Sequence, residues 1–156
     1  MTQFALGDIC SRLSSGKGIP SAKVGTEGKY PVIGGNGIRG YTDSANFSGE
    51  CAVIGRQGAA CGNVRFFSGE AYMTEHAVVA QANNNHDTHF LAYLLSTMRL
   101  GHLSAQSAQP GLSVKTLSRQ AVEMPDLRTQ KAAVALLGVL DAQIALNNRL
   151  NDYLAA

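Results

Sequence analysis

The sequence contains no tryptophan, only four prolines and only three cysteines among its 156 residues. The cysteines are Cys10, Cys51 and Cys61, an odd number with no Cys-x-x-Cys spacing. That pattern argues against both a disulfide framework and a zinc ribbon. Free thiols are typical of a reducing compartment, so we expect a cytoplasmic protein.

Long apolar segments are also missing from the sequence. No continuous run reaches the roughly 18 apolar residues that a transmembrane helix requires. The first residues lack a basic stretch followed by an apolar run, which is the pattern of a signal peptide. We therefore expect no membrane partner.

Charged residues are few, at 15% of the chain, while hydrophobic residues make up 45%. This composition is typical of a folded domain rather than a disordered segment. Thirteen Lys and Arg against eleven Asp and Glu give a formal net charge of +2. A protein that binds nucleic acid by phosphate neutralisation alone is usually more basic. Composition therefore neither establishes nor excludes a nucleic-acid partner.

The section up to about Phe67 is rich in glycine and poor in helix signals. Short apolar runs lie between the glycines at 30–33, 51–54 and 64–67, and a further run follows at 77–80. Short β-compatible runs bounded by Gly and Pro predict strands joined by tight turns. The segment 34–41, with the sequence GGNGIRGY, is predicted to be a loop.

A short helix is predicted after this section. Asp87 or Thr88 is the candidate N-cap, and Gly101 is the stop signal. Residues 102–114, around Gln109-Pro110-Gly111, are predicted to form a loop, and 121–125 a short strand or turn.

The last section is predicted to be one long helix. From residue 128 to 155 it has no proline and a single glycine, Gly138, and Pro125 and Asp126 supply a start signal. Apolar residues recur there at spacings of three and four. Such a helix is roughly 40 Å long, which is longer than a domain of this size needs to cover its own core.

Two alternatives remain open for this helix. It either folds back onto its own domain or pairs with another helix. Asn within a helix seam specifies register at a cost in stability, which favours the pairing. The predicted pairing residues are Leu137, Leu140, Ile144, Asn147, Asn151 and Leu154.

Four segments, taken in order, resemble the specificity subunits of type I restriction-modification systems. They are YPVIGGNGIRGYTD, AVIGRQGAACGNVRFFSGEAYMTEHAVV, QPGLSVKTL and MPDLRTQKAAVALLGVLDAQIALNNRL. The early LGDIC also fits the usual start of a recognition domain. Members of the family often carry two consecutive prolines and acidic residues before the helix, whereas this chain has only Pro125 followed by Asp126.

The resemblance implies an α+β fold. A β-rich target-recognition domain with a few short helices would occupy residues 1–125, and one long helix that pairs in coiled-coil fashion would occupy 126–156. A complete subunit of the family carries two such domains and two such helices, whereas this chain has one of each. A homodimer would rebuild the two-domain architecture and read a split, palindromic target.

The resemblance also implies a function and partners. The chain would bind double-stranded DNA, read one half of a bipartite target and dock a methyltransferase subunit, with a restriction subunit as a further partner. S-adenosylmethionine would be held by the methyltransferase, so no cofactor is expected on this chain. The alternative is an interaction or regulatory module that pairs through its helix without reading DNA.

Side-chain chemistry indicates which residues suit DNA. Arg makes bidentate contacts with guanine, Asn and Gln do so with adenine, and Lys contacts phosphates. The predicted DNA-binding residues are Lys17, Lys23, Lys29, Asn36, Arg39, Tyr41, Arg56, Gln57, Asn63, Arg65, Lys115 and Arg119. For Asn36 a role in the turn stays open, and for Arg56 a structural ion pair that holds its loop.

No catalytic residue and no metal site is predicted. His86 and His89 are three residues apart but have no obvious third metal ligand. The preferred interpretation of this segment is a helix start capped by Asp87 or Thr88. Glu75 and His76 are the only candidate acid–base pair that we consider, and a locally bonded strand turn is preferred for them. The chain has no Pro-Pro loop of an amino-methyltransferase and no phosphate-binding P-loop, so we expect a non-enzymatic subunit.

Overall fold

The computed structural model describes residues 1–104 and 111–155. The described strands are β1 (Thr2–Ala5), β2 (Cys10–Ser15), β3 (Tyr30–Gly34), β4 (Gly37–Thr42), β5 (Phe47–Gly55), β6 (Val64–Met73), β7 (Ala77–Ala82) and β8 (Ala121–Met124). The described α-helices are α1 (Leu6–Ile9), α2 (Thr88–Thr97), α3 (Val114–Ser118) and α4 (Leu127–Ala155). The predicted α+β class, with a β-rich domain followed by one long helix, is confirmed.

The main sheet has six strands in the order β2-β7-β5-β6-β3-β4. Neighbouring strands are antiparallel except β3 and β6, which run parallel with Val32 opposite Tyr72. A separate two-stranded sheet pairs β1 with β8, so Thr2 lies opposite Met124. The start of the domain and the segment that leads into α4 are therefore neighbours.

Residues 51–55 of β5 and 77–80 of β7 are buried on both faces, which explains their continuous apolar sequences. Because side chains alternate across a strand, Ala52 and Ile54 pack into one core cluster with α2, whereas Cys51 and Val53 pack into a second cluster on the opposite face. Leu91 of α2 is fully buried in the first cluster. The sheet is thus a rigid support for the turns at its edges.

All four predicted strand runs lie in strands, although the strands extend further than the apolar runs. The prediction of a loop at 34–41 was wrong, because most of this segment belongs to a β3–β4 hairpin. Glycine misled the prediction here. Gly37 has a φ of +103°, which glycine adopts at little cost, and so it makes the tight turn after Asn36 without ending the sheet.

The predicted start of α2 is confirmed in detail. The Asp87 carboxylate accepts a hydrogen bond of 2.8 Å from the backbone N–H of Phe90, the usual geometry of an N-cap. Thr88 has a different role, because its hydroxyl accepts a bond from the N–H of Ala82. The helix ends at Thr97, earlier than Gly101, and Arg99 follows in the left-handed region. Of the predicted loop at 102–114, residues 105–110, including Gln109 and Pro110, lie outside the described residues.

The long helix α4 begins as predicted. The Asp126 carboxylate accepts bonds from the N–H and the hydroxyl of Thr129, at 3.0 and 2.8 Å, and these bonds lower the pKa of Asp126. At 1.5 Å per residue the helix spans about 43 Å. Residues 142–155 are exposed on every side, so the second half of α4 does not fold back along the domain.

An 18-residue window of α4 has a mean hydropathy of 1.2, so the helix meets the length and composition criteria for a membrane span. Only 6% of that window is buried in the structure. Every 18-residue window of this helix contains Asp141 and Gln143. An Asp at the centre of a bilayer costs about 2.5–3.5 kcal/mol. The hydropathy is therefore weak support for a membrane span, and the sequence-based expectation of no membrane partner stays a prediction.

The buried thiols give a first testable prediction. Burial raises the pKa of Cys51 to about 12 and that of Cys10 to about 11, so both stay protonated and unreactive near neutral pH. After iodoacetamide treatment at pH 8, mass spectrometry should find both residues unmodified in the native protein and alkylated once it is unfolded in guanidinium. Alkylation of native Cys51 at the rate of an exposed thiol would contradict this burial.

Candidate nucleic-acid interface

Four polar residues converge beside the β3–β4 turn. Asn36 and Arg39 come from the hairpin, Gln57 follows β5, and His76 belongs to the β6–β7 turn. Together they line an open cavity of about 370 Å³. The convergence follows from the sheet order, because β3 lies beside β6 and the β6–β7 turn approaches the end of β5. There the N–H of Arg56 donates to the carbonyl of His76 at 3.0 Å.

Arg65 of β6 joins this cavity to a second one. Its guanidinium donates to the Asn36 side-chain carbonyl at 3.4 Å. A Cβ on Gly37 would lie 2.3 Å from Arg65 Nη1, so a larger residue at 37 would displace this side chain. The Arg65–Asn36 contact shows that Asn36 has a bonding role in addition to its place in the turn.

The second cavity has a volume of about 440 Å³ and is lined by Asn63, Arg65, Ser96 and Arg99 with their neighbours. Arg99 adopts φ 51° and ψ 50°, which is uncommon for a residue other than glycine. Its carbonyl accepts from the N–H of His102 at 3.3 Å. Sequence reasoning missed Arg99, because the helix was expected to continue towards Gly101.

We call the continuous surface along these two cavities the arginine strip. Its members are Asn36, Arg39, Gln57, Asn63, Arg65 and Arg99. All six are exposed. Among residues 1–104 and 111–155, none of the three guanidinium groups has a carboxylate within ion-pair distance. The strip therefore presents three positive charges and three amide side chains to solvent, which suits phosphates and base edges.

Lys23 and Tyr41 lie together in a different cavity of about 520 Å³. Glu27 and Asp43 also line it. Two carboxylates beside a single ammonium group make this cavity much less suitable for a phosphate than the arginine strip. The predicted residues Lys23 and Tyr41 are thus brought together, but not with the arginines.

Arg56 makes structural hydrogen bonds instead of the ion pair that the sequence left open for it. Its Nε donates to the carbonyl of Leu112 at 3.2 Å, and its own carbonyl accepts from the N–H of Leu112 at 2.9 Å. The neighbouring Gln57 forms an isolated bridge with Gly111 and keeps its side chain exposed. Arg56 therefore holds the chain near residue 111 against the sheet through hydrogen bonds rather than an ion pair.

The remaining predicted cations lie apart from the strip. Lys29 places its Nζ 5.1 Å from the centre of the Tyr30 ring, and a hydrogen bond with Tyr30 raises the pKa of this lysine. Lys115 lies in α3 and Arg119 follows it, and α3 packs against α1 and β2. Lys17 is exposed after β2, and its N–H donates to Met73.

The two histidines near α2 have separate partners. His89 stacks between Phe66 and Tyr93, with centroid distances of 3.7 and 4.7 Å, whereas His86 bonds to Gln130. Glu75 and His76 form a 3.3 Å contact in the β6–β7 turn, where the N–H of Ala77 donates to Thr74. In the part of the chain that the structure describes, no group of three His, Cys, Asp or Glu could hold a metal.

This fold agrees with what comparison with known proteins finds. A family model described as the type I restriction modification DNA specificity domain matches residues 1–156. The chain belongs to this family. Among curated relatives, the specificity subunit of the type I restriction enzyme EcoprrI from Escherichia coli is 41% identical over 123 residues. That alignment covers 79% of this chain and 30% of the relative.

Solved structures show the same fold as this type I specificity domain. The S subunit of a type I restriction-modification system from M. genitalium superposes with a TM-score of 0.82 at 19% identity, covering 92% of this chain and 40% of that one. The HsdS subunit from Thermoanaerobacter tengcongensis gives a TM-score of 0.69 at 17% identity, covering 95% and 39%. The chain thus spans about two-fifths or less of the length of these relatives. Specificity subunits of this family are non-catalytic, which confirms the prediction of a non-enzymatic chain at the level of the family.

Proposed function

We propose that this chain reads one half of a bipartite DNA target through the arginine strip. The observation that carries the proposal is the convergence of three arginines and three amide side chains on one exposed surface of a type I DNA specificity domain. Arg39, Arg65 and Arg99 come from three separate segments, so the fold rather than local sequence assembles them. Asn36, Gln57 and Asn63 supply the paired donor and acceptor that adenine requires.

We further propose that α4 pairs with the α4 helix of a second copy. The predicted residues Leu140, Ile144, Asn147, Asn151 and Leu154 are all exposed and recur at alternating spacings of three and four, while Leu137 at the start of the row is half-buried. Leu140 and Ile144 are 53% and 57% exposed, a large apolar area for an isolated helix. Pairing two copies would place two identical recognition domains on a palindromic, split site.

A second apolar row on α4 supports docking of a methyltransferase subunit. Val139, Leu146, Leu150 and Tyr153 are exposed and lie about 120° around the helix from the first row, on the side away from Gln130. One partner helix covers only one row, so the second row would be free for another protein. In this proposal the methyltransferase holds S-adenosylmethionine, a restriction subunit joins as a further partner, and the complex acts on DNA in the cytoplasm.

Selection from randomised duplexes, with and without a methyltransferase subunit, tests the proposal. Enrichment of two short motifs in inverted orientation, separated by a fixed spacer, is the expected result. Salt-sensitive binding without a motif would show that the strip only attracts phosphates and does not read bases. A stable complex through α4 with no DNA binding at all would instead favour an interaction module, the alternative from the sequence.

The length of α4 gives a prediction about the spacer. Four residues inserted after Gly138 lengthen the helix by about 6 Å, roughly two base-pair steps, and turn it by about 40°. Selection should therefore return a spacer that differs from that of the unmodified chain by about two base pairs.

Gly138→Ala is the matched control for this insertion. No atom lies within 4 Å of a Cβ built at Gly138, so alanine fits there and changes neither helix length nor rotation. The control should keep the original spacer. If the insertion also keeps it, α4 does not set the distance between half-sites.

A further inference from the structure

The first turns of α4 contain a fully buried polar residue. Gln130 is 0% exposed, and every polar group of its amide has a partner. Its carbonyl accepts from the N–H of Asp87 at 2.8 Å, and its Nε2 donates to the carbonyl of Pro125 at 2.7 Å and to His86 Nδ1 at 3.1 Å. Burial lowers the pKa of His86, so its ring stays neutral near pH 7 and accepts this bond.

A second contact joins α4 to the domain three turns further along. The Tyr93 hydroxyl of α2 donates to the Asp141 carboxylate at 2.5 Å. Burial, together with this bond, raises the pKa of Tyr93 to about 12. The eleven residue steps from Gln130 to Asp141 span about 16 Å of helix. Two attachment points that far apart fix the direction of α4 relative to the domain, whereas a single point would allow the helix to rotate about it.

The second contact continues into the sheet through stacked rings. Tyr93 stacks on His89, and His89 stacks on Phe66 with an interplanar angle of 7°. Phe66 follows Arg65 in β6, the strand that carries the centre of the arginine strip. A row of packed rigid groups thus runs from that strand to α4, and beyond Asp141 the helix is exposed on all sides.

We infer that Gln130 and the Tyr93–Asp141 pair are positioning residues, which fix the angle between α4 and the recognition domain and thereby restrict the half-site spacing that the assembly accepts. This inference rests on the proposed function. Over a helix of about 43 Å, a tilt of about 10° at the base moves the far end by roughly 7 Å, or about two base-pair steps. Loss of one attachment point should therefore widen the accepted spacing without changing which bases are read.

Tyr93→Phe tests this inference, because it removes one hydroxyl and keeps the ring stack. Tyr72→Phe is the matched control, since it removes the same group from a tyrosine of β6, whose hydroxyl donates to the carbonyl of Gly18 at 3.1 Å rather than to α4. Selection on duplexes with spacers of every length should return one dominant spacer for the unmodified chain and the control. For Tyr93→Phe we expect three or more spacers at comparable enrichment, with unchanged bases in each half-site.

A measurement without DNA separates this inference from the proposed function. Spin labels at Ser68 of β6 and Asn148 of α4, in a Cys61→Ser background diluted with unlabelled chain, report the domain–helix distance by double electron–electron resonance. Tyr93→Phe should broaden that distance distribution, and Asp141→Asn should lower the pKa of Tyr93 below about 12, because it removes the negative charge beside the hydroxyl while burial stays. An unchanged distance distribution in Tyr93→Phe would overturn the inference. A broadened distance distribution combined with an unchanged half-site spacer in the selection would overturn it as well. If the unmodified chain selects no motif, the proposed function fails, and the distance measurement still decides whether the angle is fixed.

Discussion

Ile144→Asp is expected to abolish self-association of this chain, whereas Ala145→Asp leaves it intact. Ile144 lies in the row of α4 proposed for pairing, and the adjacent Ala145 points about 100° away from it. A two-fold dimer would bury the new carboxylate twice, without a partner, and an unpaired buried charge costs several kcal/mol. We expect the dimer dissociation constant to rise by at least about 100-fold.

Analytical ultracentrifugation of the full chain measures this effect. Both variants should keep the circular dichroism of the unmodified chain, because Ile144 is already 57% exposed and makes little contribution to the fold of one copy. Binding to a split site should fall together with self-association, while each domain keeps its weak affinity for a single half-site. A dimer that survives Ile144→Asp would show that this row is not the pairing surface.

Arg65→Ala is expected to weaken DNA binding and Arg56→Ala to lower stability, although both remove an arginine beside the same sheet. Arg65 is exposed, and its one described hydrogen bond is the 3.4 Å contact with Asn36. Its loss should leave thermal stability nearly unchanged but weaken binding to the selected duplex by about 5- to 150-fold, the range for one bidentate base contact.

Arg56→Ala removes the Nε–Leu112 hydrogen bond that helps to hold the chain near residue 111. Hydrogen bonds from charged groups contribute about 1.5–3 kcal/mol, so the free energy of unfolding should fall by an amount of that order. Denaturation curves and binding isotherms on both variants separate the two roles. Arg65→Lys refines the result, since a base contact is lost with lysine, whereas a phosphate contact survives. If Arg56→Ala leaves stability unchanged and alters the selected motif, Arg56 reads bases and its structural role is wrong.

Much of the architecture could be predicted from the sequence, because the decisive signals are local. The buried strands have continuous apolar runs, Asp87 precedes an apolar period of helical spacing, and α4 lacks any breaker after Pro125. The β4 strand was missed for a physical reason. Glycine at 37 and 40 normally indicates a turn, but here Gly40 allows the segment around Gly25 to approach. The carbonyl oxygen of Gly25 is only 2.7 Å from the position that a Cβ on residue 40 would occupy.

The candidate site was less predictable, because it depends on pairings far apart in sequence. The cavity lined by Arg39 and the cavity lined by Arg65 and Arg99 are neighbours through the parallel β3–β6 contact and the packing of α2 on β6. Neither the β3–β6 pairing nor the packing of α2 on β6 can be predicted from the spacing of apolar residues in the sequence. Arg56 and Arg65 were both predicted to bind DNA, with a structural ion pair left open for Arg56 alone. Only the carbonyl of Leu112, 56 residues away, distinguishes them.

The β1–β8 pairing also bears on how such a domain changes over time. Because Thr2–Ala5 lies beside Ala121–Met124, the polypeptide enters and leaves the recognition domain at the same place, at the base of α4. The described residues between these two strands supply most of the core cluster that packs against α2, and Val122 and Met124 of β8 complete it. Exchange of that unit for one from a relative would need to preserve this short ribbon and the groups that hold α4, which are His86 and Asp87 at Gln130 and Tyr93 at Asp141. A new target preference could thus be acquired by replacing the whole cassette, with the spacer and the subunit contacts left as they are.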